Sequence, residues 1–206
     1  GDADQSNLAD IYFGRGNSPT TCGNTISGNT LSNTLNTRDA NISGGVVTNT
    51  TTLKTYCSIQ PAIDDPLTQN GHTLTVQAGT YAENITVNKS LTILGPNAAV
   101  NACSGTRVAE AIVVPATNAV GSGEIFHIAA NTSNVTISGF TIDGDNTSLA
   151  SGVTNPSAGA DMNAAEGITV YETGVNNLTV TNNIFKNLSY FGVTLYDYPA
   201  GVASSG

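Results

Sequence analysis

NVTISGFTI (Asn134–Ile142) and NLTVTNNIF (Asn177–Phe185) are two copies of one pattern set 43 residues apart, and GITVYE (Gly167–Glu172) and GVTLYD (Gly192–Asp197) are two copies of another set 25 residues apart. In each, apolar and polar residues alternate over a few positions before Gly, Asn or Ser interrupts, which is the period-2 signature of a short β-strand. Self-similarity at intervals of about 20–50 residues marks a stack of repeated coils, in which each coil buries its apolar side chains against its neighbours. The 25-residue interval suits one coil. The 43-residue interval suits one coil plus a loop, and the surplus is visible as DNTSLASGVTNPSAGADMNAA (Asp145–Ala165), which carries few apolar residues. The pattern predicts an all-β chain built as a parallel β-helix (solenoid).

Working outward, further strands are expected in LTVQAG (Leu74–Gly79), NITVN (Asn84–Asn88), SLTILG (Ser90–Gly95), AIVV (Ala111–Val114) and EIFHIA (Glu124–Ala129). The alternation predicts that Ile85, Val87, Ile93, Ile137, Ile168, Val170, Val180, Val193 and Leu195 point inward. Helical pattern is confined to CSIQPAIDDP (Cys57–Pro66), where Ile59, Ala62 and Ile63 fall at i, i+3 and i+4. Ser58 suits the N-cap, Pro61 the first turn, and Pro66 discourages continuation. A short helix with one apolar face ahead of a strand series reads as an N-terminal cap over an open core. Asn24–Gly45 holds no strict period, so residues 1–56 are expected to be an irregular or short-stranded capping segment, and 57–206 the β-helix. YDYPAGVASSG follows a strand with no capping pattern, so the expectation is the N-terminal part of a larger protein.

Charge narrows the function. Six basic residues against fifteen acidic ones give a formal net charge of -9, which disfavours nucleic acid and anionic membrane as partners. No apolar run approaches the roughly 20 residues that span a bilayer. Cys22, Cys57 and Cys103 allow one disulfide. Cys57–Cys103 is the expected pair, with buried free thiols the open alternative.

The segment SIQPAIDD…GHTLTVQAGTYAENITVNKSLTILG (Ser58–Gly95) resembles the opening of the pectin-lyase-like β-helix superfamily, and in particular the N-terminus of pectin methylesterases; Asn134–Gly144 and Asn177–Asp197 resemble its generic repeats. The resemblance implies a right-handed coil and a secreted or cell-surface setting. It leaves activity open, because the superfamily holds lyases, hydrolases, esterases and non-catalytic surface proteins. The aspartates and arginine of the esterase site have no matching motif here, and no catalytic residue is assigned. Within the matched segment, Gly79 reads as a turn, Tyr81 as a corner packing residue and Glu83 as a cap on a turn backbone.

Several residues remain as candidates. Asp143, Asp145 and Asn146 place three side-chain oxygen ligands within four positions, so Ca²⁺ is the cofactor they suit, with Asp161 and Glu166 as further ligands; a self-bonded Asx turn is the competing reading. Arg107 is the best-placed cation for a substrate carboxylate, against a plain surface role. His72 and His127 lack a nucleophile partner and read as structural. Tyr171 and Tyr196 are 25 residues apart and so neighbours on successive coils; with Glu172 they form a candidate sugar-binding patch beside the returning loop. Nine N-x-S/T sequons occur, a number that an Asn- and Thr-rich chain produces without glycosylation. The function expected is a non-catalytic, adhesin-like or glycan-binding module whose partner is a polysaccharide or cell-surface glycan. The alternative is a fragment of a polysaccharide lyase or pectin methylesterase-like enzyme acting on acidic polysaccharide.

Overall fold

A computed structural model describes residues 47–196, and they fold almost wholly as β-structure with mostly parallel neighbours. Cys22, Arg15, Arg38 and the Asn24–Gly45 run lie outside the described residues. Three sheets form. The first contains β1 (Val47–Asn49), β2 (Thr55–Tyr56), β3 (Thr73–Val76), β6 (Thr92–Leu94), β9 (Thr136–Ser138) and β12 (Thr179–Thr181), in the order β12-β9-β6-β3-β1-β2. The second contains β4 (Gly79–Ala82), β7 (Ala111–Val114), β10 (Thr141–Asp143) and β13 (Ile184–Lys186). The third contains β5 (Ile85–Val87), β8 (Ala119–Ile128), β11 (Ala164–Val170) and β14 (Phe191–Leu195). From β3 onward the chain takes one strand from each sheet in rotation, and every pairing among these strands is parallel. Among the described strands, antiparallel pairing is confined to β1 with β2 and with β3.

Register explains why these residues form these strands. Leu74, Ile93, Ile137 and Val180 line up across the first sheet, Tyr81, Val113, Ile142 and Phe185 across the second, and Ile85, Phe126, Ile168 and Val193 across the third. One buried apolar cluster joins residues of all three sheets. The 43-residue interval is the Ile137–Val180 rung and the 25-residue interval is the Ile168–Val193 rung. The surplus residues sit between β10 and β11, as the loop reading required.

Six of the nine expected inward residues are buried and Val180 packs against the core, but Val193 and Leu195 are 39% and 68% exposed. The ladder position is right. Among the described residues their strand, β14, has a neighbour on one side only. Three other expectations are corrected. Gly79–Ala82 is not a turn but strand β4, with Tyr81 buried in the core and its hydroxyl donating to the Gln77 carbonyl at 2.9 Å. The Asn134–Ile142 and Asn177–Phe185 stretches, each expected as a single strand, divide into two, at Gly139 (φ +84°) and Asn182 (φ +58°). Cys57 is disulfide-bonded while Cys103 is an exposed free thiol, so the two are not bridged.

The helix α1 (Ile59–Asp64) buries Ile59, Ala62 and Ile63 as its spacing dictates. Ser58 holds the N-cap position without a side-chain capping bond. Instead the Glu83 carboxylate accepts the Ile59 and Gln60 backbone N–H groups, both at 2.8 Å. At the other end the Lys89 ammonium donates to the Ile63 and Asp65 carbonyls. Each charge complements the helix end it meets.

Candidate functional site

The aromatic pair forms as the 25-residue spacing implied. Val170 pairs with Leu195 at the ends of β11 and β14, which puts Tyr171 and Tyr196 side by side. Their ring centroids are 6.0 Å apart with planes 32° from parallel, and Tyr196 is 51% exposed. The Tyr171 hydroxyl donates to the Glu166 carboxylate, which also accepts from Thr194 Oγ1 at 2.8 Å. Glu166 is thereby held as a buried carboxylate by two hydroxyls.

Glu172 leaves the same end of β11. Its carboxylate accepts the Ala130 backbone N–H and lies 3.7 Å from His127 Nε2. His127 Nδ1 is 3.7 Å from the Glu124 carboxylate, buried, and without a hydrogen-bond partner. An open concavity lined by Val170, Glu172, Val175, Leu178, Leu195 and Tyr196 adjoins the ring pair. Aromatic faces, apolar floor and carboxylate acceptors together suit a sugar, whose C–H faces stack on rings and whose hydroxyls donate. Glu124, Glu166 and His127 had not been gathered into this patch from the sequence. The signal was present, since Glu124 and Glu166 are ladder partners 42 residues apart, but one register shift in that pairing breaks the simple interval.

The calcium candidates lie elsewhere. The Asp145–Ala165 loop leaves β10 and enters β11 at Ala164, whereas Tyr171 and Glu172 follow the far end of that strand. At roughly 3.3 Å per residue a seven-residue strand separates the two groups by about 20 Å. The expectation that the loop returns beside Tyr171 is therefore corrected. Asp143 binds Lys186 Nζ at 2.9 Å, Asn187 Nδ2 at 2.7 Å and the Asp145 N–H. Asp161 accepts the Ser151 and Gly152 N–H groups, the Ser151 hydroxyl and Asn163 Nδ2. Those bonds, the Ser151 N–H foremost, hold its carboxyl below the usual range. Asn146 bonds the Pro115 carbonyl and the Ser148 N–H. Burial, then the neighbouring Asp143 and Asp161 charges, push Asp145 up. Glu166 does not join this group, and among the described residues no three His, Cys, Asp or Glu side chains are arranged to hold a metal.

Arg107 is a structural clamp. It forms a two-point pair with Glu110 at 2.6 and 2.9 Å and donates to the Asn182 carbonyl at 2.9 Å. Lys54 is spent on Asp65, Lys89 on carbonyls and Lys186 on Asp143. His72 bonds Asn49. No described lysine or arginine is placed at the tyrosine pair.

No family model matches the chain, and no solved structure does. A curated relative is a cell surface glycoprotein of Methanothermus fervidus, 33% identical over 150 residues. That match takes in 73% of this chain and 19% of the relative, so the chain spans about a fifth of the curated relative's length. Among the described residues no helix is long and apolar enough to cross a membrane.

Proposed function

We propose that this chain is a cell-surface module of a larger protein, built as a right-handed parallel β-helix, and that it binds glycan at Tyr171, Tyr196 and Glu172. The three-sheet rotation with parallel rungs supports the β-helix, and right-handed crossovers between parallel strands are the strong rule. The pectin-lyase-like likeness of Ser58–Gly95 agrees with such a coil. The relative's name supports the cell surface.

The observation that carries the binding reading is the Tyr171–Tyr196 ring pair beside the concavity. Glu172 lines the concavity and the buried Glu166 holds the Tyr171 hydroxyl, with His127, beside Glu172, the basic side chain in reach among the described residues, so neutral sugars fit and uronates do not. The test is a glycan-array and calorimetric comparison of the wild type with a Tyr171→Ala, Tyr196→Ala double variant. Wild type should bind neutral polysaccharide saturably, and the double variant should bind at least about tenfold more weakly with unchanged circular dichroism. Equal binding by the two, or none by either, removes the site.

A further inference from the structure

Eight of the nine N-x-S/T sequons fall among the described residues, and the fold sorts them sharply. Asn49 is fully buried, with Nδ2 on Thr68 and His72 and Oδ1 on the Thr51 and Thr52 N–H groups. Asn146 is buried and bonded at both ends of its amide. Asn84 Nδ2 donates to the Glu124 carbonyl at 2.6 Å while Oδ1 accepts the Ala116 N–H. Asn187 bonds Asp143 and Asn155. Asn134 and Asn177 are rungs of one ladder, both at positive φ, with Asn177 Nδ2 on Asn134 Oδ1 at 3.0 Å.

Asn88 and Asn131 differ from these in their side-chain amides, although Asn131 shares the positive φ (+59°). Both are exposed, and neither side-chain amide has a hydrogen-bond partner among the described residues. They share one edge of the molecule, because Asn88 follows β5, Asn131 follows β8, and those strands are neighbours through the Val87–Ile128 rung. The hydroxyl residues that complete the sequons, Ser90 and Ser133, lie on the same edge. The Asn131 amide lies against Gly174, but an exposed amide that makes no hydrogen bond can be extended by a bulky polar group without breaking one.

We infer that Asn88 and Asn131 carry N-linked glycans, and that Asn49, Asn84, Asn146 and Asn187 do not. The donor is a glycosyl diphosphate linked to a lipid carrier, presented by a transferase of the secreting cell. The amide nitrogen Nδ2 attacks the anomeric carbon, the new C–N bond forms as the C–O bond to phosphate breaks, and the diphosphate leaves with the electron pair. The amide gives up one proton, so the balance closes without oxidant or reductant. Val87, Ile128, Val170 and Leu195 form one rung, so glycans on this edge would flank the tyrosine pair and limit the approach of other molecules from that side.

This inference rests on the cell-surface part of the proposed function and is independent of sugar binding. The experiment therefore supplies secretion artificially. The full chain is secreted behind a signal peptide from a host whose transferase modifies sequons, and the folded product is mapped by peptide mass spectrometry after enzymatic glycan release in heavy-oxygen water. Glycan on the Asn88 and Asn131 peptides, its loss in an Asn88→Gln, Asn131→Gln double variant and bare Asn49, Asn84, Asn146 and Asn187 support the assignment. Bare Asn88 and Asn131, or occupancy of the four engaged asparagines equal to theirs, overturns it. Asn88→Gln alone should melt at the wild-type temperature, since the Asn88 amide holds no other residue, whereas Asn131, at φ +59° and against Gly174, should lose some stability on change to Gln.

Discussion

Arg107 shows how a residue that reads as loop surface becomes structural through its partners. Its guanidinium joins Glu110 to the carbonyl of Asn182, 75 residues away. Arg107→Ala should cost about 2–4 kcal/mol in urea unfolding, because a partly buried carboxylate and a carbonyl lose their donors together. Glu110 also predicts a pH effect. The Arg107 hydrogen bond, outweighing burial, holds its carboxyl below the ordinary 4.5. A lowered folded value means stability that is present above 4.5 and lost as the pH falls through the depressed value. Glu110→Gln should therefore unfold more easily than wild type at neutral pH, with the gap closing well below pH 4.5. Gly139 is as constrained as Arg107 is connected. At φ +84° an added Cβ would stand 2.1 Å from the Ala98 backbone nitrogen, so Gly139→Ala should lower the melting temperature markedly, which a thermal scan reads.

At the scale of elements, α1 is stabilised from outside itself. Six residues are too few to hold a helix by propensity. The helix persists because three apolar side chains are buried and because Glu83 and Lys89, borrowed from the first rotation through the sheets, complement its two ends. Ser58→Ala should change stability by less than about 0.5 kcal/mol, since its hydroxyl makes no capping bond. Glu83→Ala should cost about 1–2 kcal/mol by stranding two backbone donors. Chemical denaturation of the two variants side by side decides between the residues. A larger effect at Ser58 than at Glu83 would contradict the assignment. The sequence marked the helix face correctly but placed its cap on the nearest suitable residue.

For the molecule as a whole, burial follows position in the stack more than residue type. Ile93 and Ile137 are fully buried between neighbours, Val180 on the outer rung is only partly covered, and Leu195 is mostly exposed. Alanine substitution should track this gradient. Ile137→Ala should cost about 2–4 kcal/mol, Val180→Ala appreciably less, and Leu195→Ala close to nothing, as measured by urea unfolding. Equal losses at Ile137 and Leu195 would mean that the outer rung is covered in solution.

What the sequence determined by itself was local and periodic. Alternation placed the Val, Ile and Leu rungs, the 25- and 43-residue intervals set the Tyr171–Tyr196 neighbourhood and located the inserted loop, and the i, i+3, i+4 spacing defined the helix face. These follow from backbone geometry, which repeats every two or 3.6 residues whatever surrounds it. The tertiary structure alone decided which thiol stays free, that Glu83 caps the helix, that His127 stands between Glu124 and Glu172, and that the aspartates lie a strand's length from the tyrosines. Each of these depends on contacts between residues far apart in the chain, whose loops and bulges vary the length of each rotation through the sheets. A side chain's period tells which way it faces, but only the folded path of the backbone tells what it meets.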